Sequence, residues 1–223
     1  MLHFVLETPP PCGYAPAFNR VAPPQTANVN AGDGRLYVGG GGINKAFKLA
    51  LESHQPVSRY SKLHKDALSL ACQDSAGFVV NVASSAPAVC FSAHVPLDFK
   101  TNAGFCCLSV FERREEPFYA MLYVVGPRGA GLSGEKFRQQ VHDTASNMAR
   151  LVDAHNEVSP YKVDHVRLCL VSGGVYRHPA VSKATVASQL LTGIQEEGSD
   201  VSWILVEDDD AFGQALRDLD TFG

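Results

Sequence analysis

The chain has 223 residues, 45% of them hydrophobic and 19% charged, with a net charge of −4. This balance suits one folded domain and excludes a disordered chain. The acidic excess argues against general electrostatic binding to nucleic acid or anionic membrane, although it leaves room for a local basic pocket.

The longest apolar runs, such as "AMLYVV" and "WILV", are strand-sized, so no segment is expected to span a bilayer. The opening "MLHFVLETPPP" has no basic start and no full apolar run, so no signal peptide is expected. Cys12, Cys72, Cys90, Cys106, Cys107 and Cys169 form no C-x-x-C pair and suit neither zinc nor a disulfide framework. Cys90, Cys106, Cys107 and Cys169 lie in apolar runs, where cysteine acts as a small hydrophobe. The histidines are scattered. The expectation is a reduced, intracellular (cytoplasmic or nuclear) monomer with no metal and no cofactor.

In chain order, residues 8–27 are proline-rich and read as an arm. "TANVNA" is a candidate strand. Ile43, Ala46, Phe47, Ala50 and Leu51 recur at the spacing of one helical face. "GFVVNVA", "PAVCFSAHV" and "GFCCLSVF" are β-branched or aromatic runs between turn residues, and predict three strands. "FYAMLYVVGP" predicts a buried strand with a Gly-Pro stop. Residues 134–157 predict a helix with Phe137, Val141, Ala145, Met148 and Val152 on one stripe. "HVRLCLV" (strand), 180–195 (helix), "VSWILVE" (strand) and 210–219 (helix) complete the pattern. Alternating strands and helices predict an α/β sheet covered on both faces, with ligands at the carboxyl ends of its strands.

Two loops stand out. "VGGGG" runs straight into the helix at Ile43. Glycines leave backbone N–H groups uncovered, and a helix start adds unpaired N–H groups and a partial positive charge, which together suit phosphate. No G-K-[ST] follows, so this is not a P-loop, and no G-x-G-x-x-G is present. The other loop, "SGGVYRHP", also lies between a strand and a helix. There Ser172, Gly173 and Gly174 can offer N–H groups and Tyr176 can line a sugar or ring. Either loop alone also reads as an ordinary turn.

Together they resemble a macrodomain, the ADP-ribose-binding module of the Appr-1-p processing family. "VNAGDGRLYVGGGGINKAF" is similar to the family's V-N-A-A-N…G-G-G-V-[DN]-x-A-I segment. "YAMLYVVGP" resembles its strand ending in V-G-P, and "SGGVYRHP" its S-T-G-[VI]-[YF]-G-[YF]-P loop. The resemblance covers roughly residues 19–220 and is vague between 71 and 116, which reads as a family-specific insertion in a single domain of residues 1–223. It implies a three-layer α/β/α fold with a mixed, mostly parallel sheet. It also implies a cleft in which Gly40, Gly41, Gly42, Ile43 and Asn44 face Ser172, Gly173, Gly174, Val175 and Tyr176 across a diphosphate. Asn30 belongs to the same segment.

The catalytic positions depart from the pattern. In hydrolases of this type the last Asn of N-A-A-N orients the distal ribose and an Asp after the glycines acts on a water. Those positions fall here on Asp33 and Asn44. Asn44 cannot serve as a general base. Asp33 could act on the ribose, or be a turn residue in "AGDG". The family's adenine-contacting Asp falls near Asn19, with Arg20 beside it. Arg177 and His178 add positive charge at the loop rim, and "EDDDA" reads as a solvated helix start.

Three functions follow from the resemblance. One is binding of ADP-ribose or an ADP-ribosylated protein. Another is hydrolysis of mono-ADP-ribosyl protein or O-acetyl-ADP-ribose at the same site, with Asp33 and Asn44 as candidate catalytic residues. The third is a degenerate macrodomain used as a protein-interaction module. Neither membrane nor nucleic acid is expected as a partner.

Overall fold

The structure, a computed structural model, describes residues 4–7, 22–85, 87–96, 102–111, 118–206 and 209–221. Asn19, Arg20, Cys12 and most of the proline-rich arm lie outside them.

One eight-stranded sheet runs in the order β1 (Phe4–Glu7), β8 (Ser202–Val206), β7 (His165–Leu168), β2 (Thr26–Gly32), β6 (Ala120–Val125), β5 (Cys106–Val110), β4 (Cys90–His94), β3 (Phe78–Ala83). From β1 to β6 all neighbours are parallel, and from β6 to β3 all are antiparallel. The sheet is therefore mixed and mostly parallel, and "TANVNA" does carry the strand before the first loop.

Successive strand residues point to opposite faces, and the adjacent cysteines of β5 show it. Cys106 joins the core on one side, Cys107 the core on the other, and both are fully buried. Burial pushes both thiols up, Cys107 to about 12, so they behave as inert hydrophobes.

Three helices cover the Cys106 side: α3 (Gly134–Val158), α4 (Lys183–Glu197) and α5 (Ala211–Thr221). The expected α3 stripe of Phe137, Val141, Ala145, Met148 and Val152 is buried throughout. Ser133 and Ser182 cap α3 and α4, their hydroxyls accepting the N–H groups of Lys136 and Thr185. The Ser182 cap explains why α4 starts three residues later than its apolar pattern predicts.

The opposite side is covered by α1 (Gly42–Glu52) and α2 (Val57–Gln73). The chain pattern did not predict α2 or β1. Tyr60, Leu63, Ala67 and Ala71 do form a buried stripe on α2, with the fully buried His64 set into it. Three strands, β3 to β5, lie within residues 71–116.

One buried polar cluster holds α3 against the antiparallel half of the sheet. His155 Nε2 lies 2.8 Å from the Tyr161 carbonyl oxygen, so this nitrogen carries the proton. Nδ1 then accepts from the Ser92 hydroxyl at 2.8 Å, and that oxygen accepts the Asn81 N–H at 2.8 Å. Ser92 and His155 are fully buried. Burial lowers the imidazole pKa, and the opposing Tyr161 hydrogen bond does not reverse it.

Candidate functional site

Because β2, β6, β7 and β8 are parallel, the loops after them emerge at one end of the sheet. They enclose a cleft of about 530 Å³. On one side stand Gly39 to Asn44, and on the other Ser172 to Tyr176. Asp33 is in the wall as well. Of the residues expected at the site, Asn30 is buried beneath the cleft rather than in its wall, and Asn19 is outside the described residues.

The glycine loop is held from below by side chains. Asn44 is buried, and its amide is fully engaged. Its oxygen accepts Asn30 Nδ2 at 3.1 Å and the Gly39 N–H at 3.2 Å, while its nitrogen donates to the Tyr37 carbonyl at 2.9 Å and to that of Gly39. The Ser61 hydroxyl accepts the Val38 N–H at 3.1 Å. The Tyr123 hydroxyl lies 3.1 Å from the Asp33 carbonyl oxygen and 3.4 Å from that of Tyr37. Burial pushes its phenol well above the usual range. Its ring packs on His64 with centroids 4.1 Å apart. Burial pushes the His64 pKa down to about 3, and the Leu36 backbone beside it, which favours the charged ring, does not offset this.

Within the loop the glycines differ. Gly40 has φ +98° and Gly42 φ +57°, conformations that disfavour a side chain. Gly41 has an ordinary φ of −107°, and a Cβ added there meets nothing within 4 Å. Gly174, on the facing loop, also has open space around an added Cβ. Neither position needs glycine for internal packing.

The facing loop is braced at Ser172, which has φ 61°, an uncommon value for a residue with a side chain. Its hydroxyl donates to the Pro127 carbonyl at 2.8 Å, and Gly129 N–H donates to the Tyr176 carbonyl at 2.7 Å. The strand ending in V-G-P thus positions the second loop.

The charged groups at the cleft were largely missed from the sequence. Asp33 Oδ2 accepts Arg35 Nε at 3.0 Å and Nη2 at 2.6 Å, and Oδ1 accepts the Arg35 N–H at 2.9 Å. Burial favours the neutral acid, but the hydrogen bonds and charge of Arg35, with Arg128 adding to them, hold the carboxyl below its ordinary value. Arg128 lies over the Tyr176 ring, 4.5 Å from its centroid, and donates to its hydroxyl at 3.2 Å. Lys183 and Asp209 form an ion pair in the cleft wall. Asp209 is therefore part of the cleft rather than simply the solvated helix start expected. Asp210 pairs with Arg217 at 2.6 Å. Arg177 donates to the Val181 carbonyl, and His178 Nδ1 lies 3.1 Å from the Ala180 nitrogen.

Parallel strands feeding two facing backbone-rich loops define an α/β/α domain with a cleft at one end of its sheet. Solved structures give the class its name. A Trypanosoma brucei macrodomain in complex with ADP-ribose superimposes with a TM-score of 0.55 at 16% identity, covering 97% of this chain and 69% of that one. An Oceanobacillus iheyensis macrodomain with ADP gives 0.56 at 17% identity, covering 89% and 85%. The chain has the macrodomain fold.

No family model matches the sequence. Two curated relatives do: the DNA/RNA-binding protein ALBA4 of Plasmodium falciparum (isolate 3D7), 33% identical over 207 residues, and that of Plasmodium yoelii yoelii, 32% identical over 210 residues. The matches cover 81% and 82% of this chain but 56% of each relative, so the chain spans little more than half their length. Among the described residues no helix is long and apolar enough to cross a membrane.

Proposed function

We propose that the cleft binds ADP-ribose or a related ADP-ribosyl ligand, free or attached to protein, with the diphosphate between the two loops. One observation carries this: Gly41 and Gly174 face the cleft from opposite loops, and neither backbone conformation nor packing demands a glycine at Gly41. Bare N–H groups at a helix start suit a phosphate that must approach closely. The ADP and ADP-ribose in the structural neighbours support the same ligand class.

Binding is favoured over hydrolysis at this site. The two candidate catalytic groups are already engaged, Asp33 by Arg35 and Asn44 by the loop it supports. Calorimetric titration with ADP-ribose, against ADP and AMP, tests the proposal. Binding that weakens when the distal ribose is removed supports it. Absence of heat and of thermal stabilisation at millimolar ligand refutes it and leaves the interaction module. Turnover of a mono-ADP-ribosylated protein, lost in Asp33→Ala, would instead establish the hydrolase.

A second reading, that the chain also contacts nucleic acid, takes its partner class from the name of the two curated relatives. One observation favours it: residues 42–73 carry five Lys or Arg against two acidic residues, in a chain with 19 against 23. The whole-chain charge that argued against nucleic acid averages over this difference.

A further inference from the structure

The geometry points to the outward face of α1 and α2 as a surface for single-stranded nucleic acid, beside the cleft but separate from it. The inference rests on the second reading above and adds the surface and the strand form.

Both helices lie on the same side of the sheet and touch each other, so their solvent faces form one surface. Its cations are Lys45 and Lys48 from α1 and Arg59, Lys62 and Lys65 from α2. Lys48 is matched by Glu52 and Lys62 by Asp66. Among the described residues Lys45 and Lys65 have no ion pair, and the Arg59 guanidinium donates to the neutral Gln55, at 3.0 Å. Arg59, Lys62 and Lys65 are all exposed and span about 9 Å along α2 at the helical rise. The rest of the chain holds 14 cations against 21 carboxylates, so the balance favours a polyanion at this face over the remainder taken together.

Two features choose among polyanions. The apolar stripes of α1 and α2 are buried in the core, and Leu49 and Leu70 are exposed singly on different helices, too little apolar surface to enter a membrane. Tyr37 is 42% exposed, and its carbonyl is held by Asn44, next to Lys45. The Tyr37 ring lies against Gly39, in the loop that leads into the helix carrying Lys45 and Lys48, and an exposed ring there offers stacking to an unpaired base, which a duplex does not present.

The test is fluorescence anisotropy on the full chain with a labelled uridine oligonucleotide, the matching RNA duplex, and polyglutamate as competitor. Wild type is expected to bind the single strand, with log affinity falling against log salt at a slope of roughly −2 to −3.5 for three to five neutralised phosphates. Arg59→Glu/Lys62→Glu/Lys65→Glu is expected to weaken this by about tenfold or more at low salt. Its ADP-ribose titration should be unchanged, which also shows that the variant is folded. Lys45→Glu/Lys48→Glu provides the α1 arm. If nucleic acid binds wild type and both variants equally, the surface is wrong and the broader reading survives. If no nucleic acid binds, both fall. Preference for the duplex overturns the strand form, and equal competition by polyglutamate assigns the face to an acidic protein instead.

Discussion

Asn30 and Asn44 meet beneath the glycine loop, Nδ2 of the first 3.1 Å from Oδ1 of the second. This contact joins the carboxyl end of β2 to the start of α1 and leaves the Asn44 amide to hold Tyr37 and Gly39. Restoring the family's acid with Asn44→Asp is therefore expected to damage the protein rather than activate it. A carboxylate there would face two carbonyls with no proton to donate. The expected loss is about 1–3 kcal/mol of stability, the range for a buried polar group left unmatched, together with weakened ADP-ribose binding. Denaturant melts and calorimetry of the variant check both; a stable, hydrolytic Asn44→Asp protein would contradict this role.

The glycine run separates into two kinds of position. Gly41→Ala should leave the melting temperature within a degree or so of wild type, since the backbone is ordinary and the space is open. It should nevertheless weaken ADP-ribose by about tenfold through the lost close approach of the ligand. Gly40→Ala should also lose about 1 kcal/mol of stability, because its φ is +98°. Paired melts and titrations of the two variants distinguish a loop shaped for a ligand from one shaped only for a turn.

Tyr123 supports the loop from the sheet, and Gly32 makes room for it: a Cβ at Gly32 would lie 2.0 Å from the Tyr123 ring. Tyr123→Phe keeps the ring on His64 but removes the hydroxyl under the Asp33 and Tyr37 carbonyls. A loss of about 1–2 kcal/mol is expected, with faster amide exchange confined to residues 33–42. Uniformly faster exchange across the sheet would argue against a local support. Gly32→Ala should be the more severe change, because a rigid ring stands in the way.

His64 makes stability depend on pH. Its folded-state pKa is lowered to about 3 by burial, against an ordinary value of 6.5. Between those values the unfolded chain binds a proton that the folded chain does not, so stability falls as pH drops from 6.5 toward 3. The slope from this group is roughly 1 kcal/mol per pH unit. Asp33 has the opposite type of shift for its charge: its lowered pKa adds stability above the unfolded value, lost as pH falls through the folded one. Melts of wild type and His64→Phe at pH 7 and pH 5 check the first effect. The variant should lose less on acidification, and equal losses would assign the acid sensitivity elsewhere.

Much of the fold could be read locally because period and punctuation agreed. The α3 stripe, the strand with its V-G-P stop and both loop sequences are contiguous signals. The omission of α2 has an identifiable cause. Its stripe of Tyr60, Leu63, Ala67 and Ala71 was present, but small alanines and a histidine filled positions where large apolar residues give a clearer period. β1 is a four-residue edge strand whose Val5 and Leu6 remain about half exposed, so burial patterning had little to act on. The backbone-rich walls of the cleft were legible because glycine marks them. Its charged partners were not. Lys183 and Asp209 are 26 residues apart and meet only through the sheet order, while the Arg35 clasp on Asp33 depends on a turn no local rule specifies.

The buried cluster of Ser92, His155 and the Tyr161 carbonyl has a practical consequence. Its hydroxyl and imidazole are correctly spaced for a hydrolytic dyad, yet both are sealed in the core. A fluorophosphonate reagent, which reports reactive serines across whole proteomes, would pass this serine by. Motif-matching software that weighs only interatomic spacing would flag it, so a silent result from such labelling leaves the cleft on the other side of the chemistry untouched.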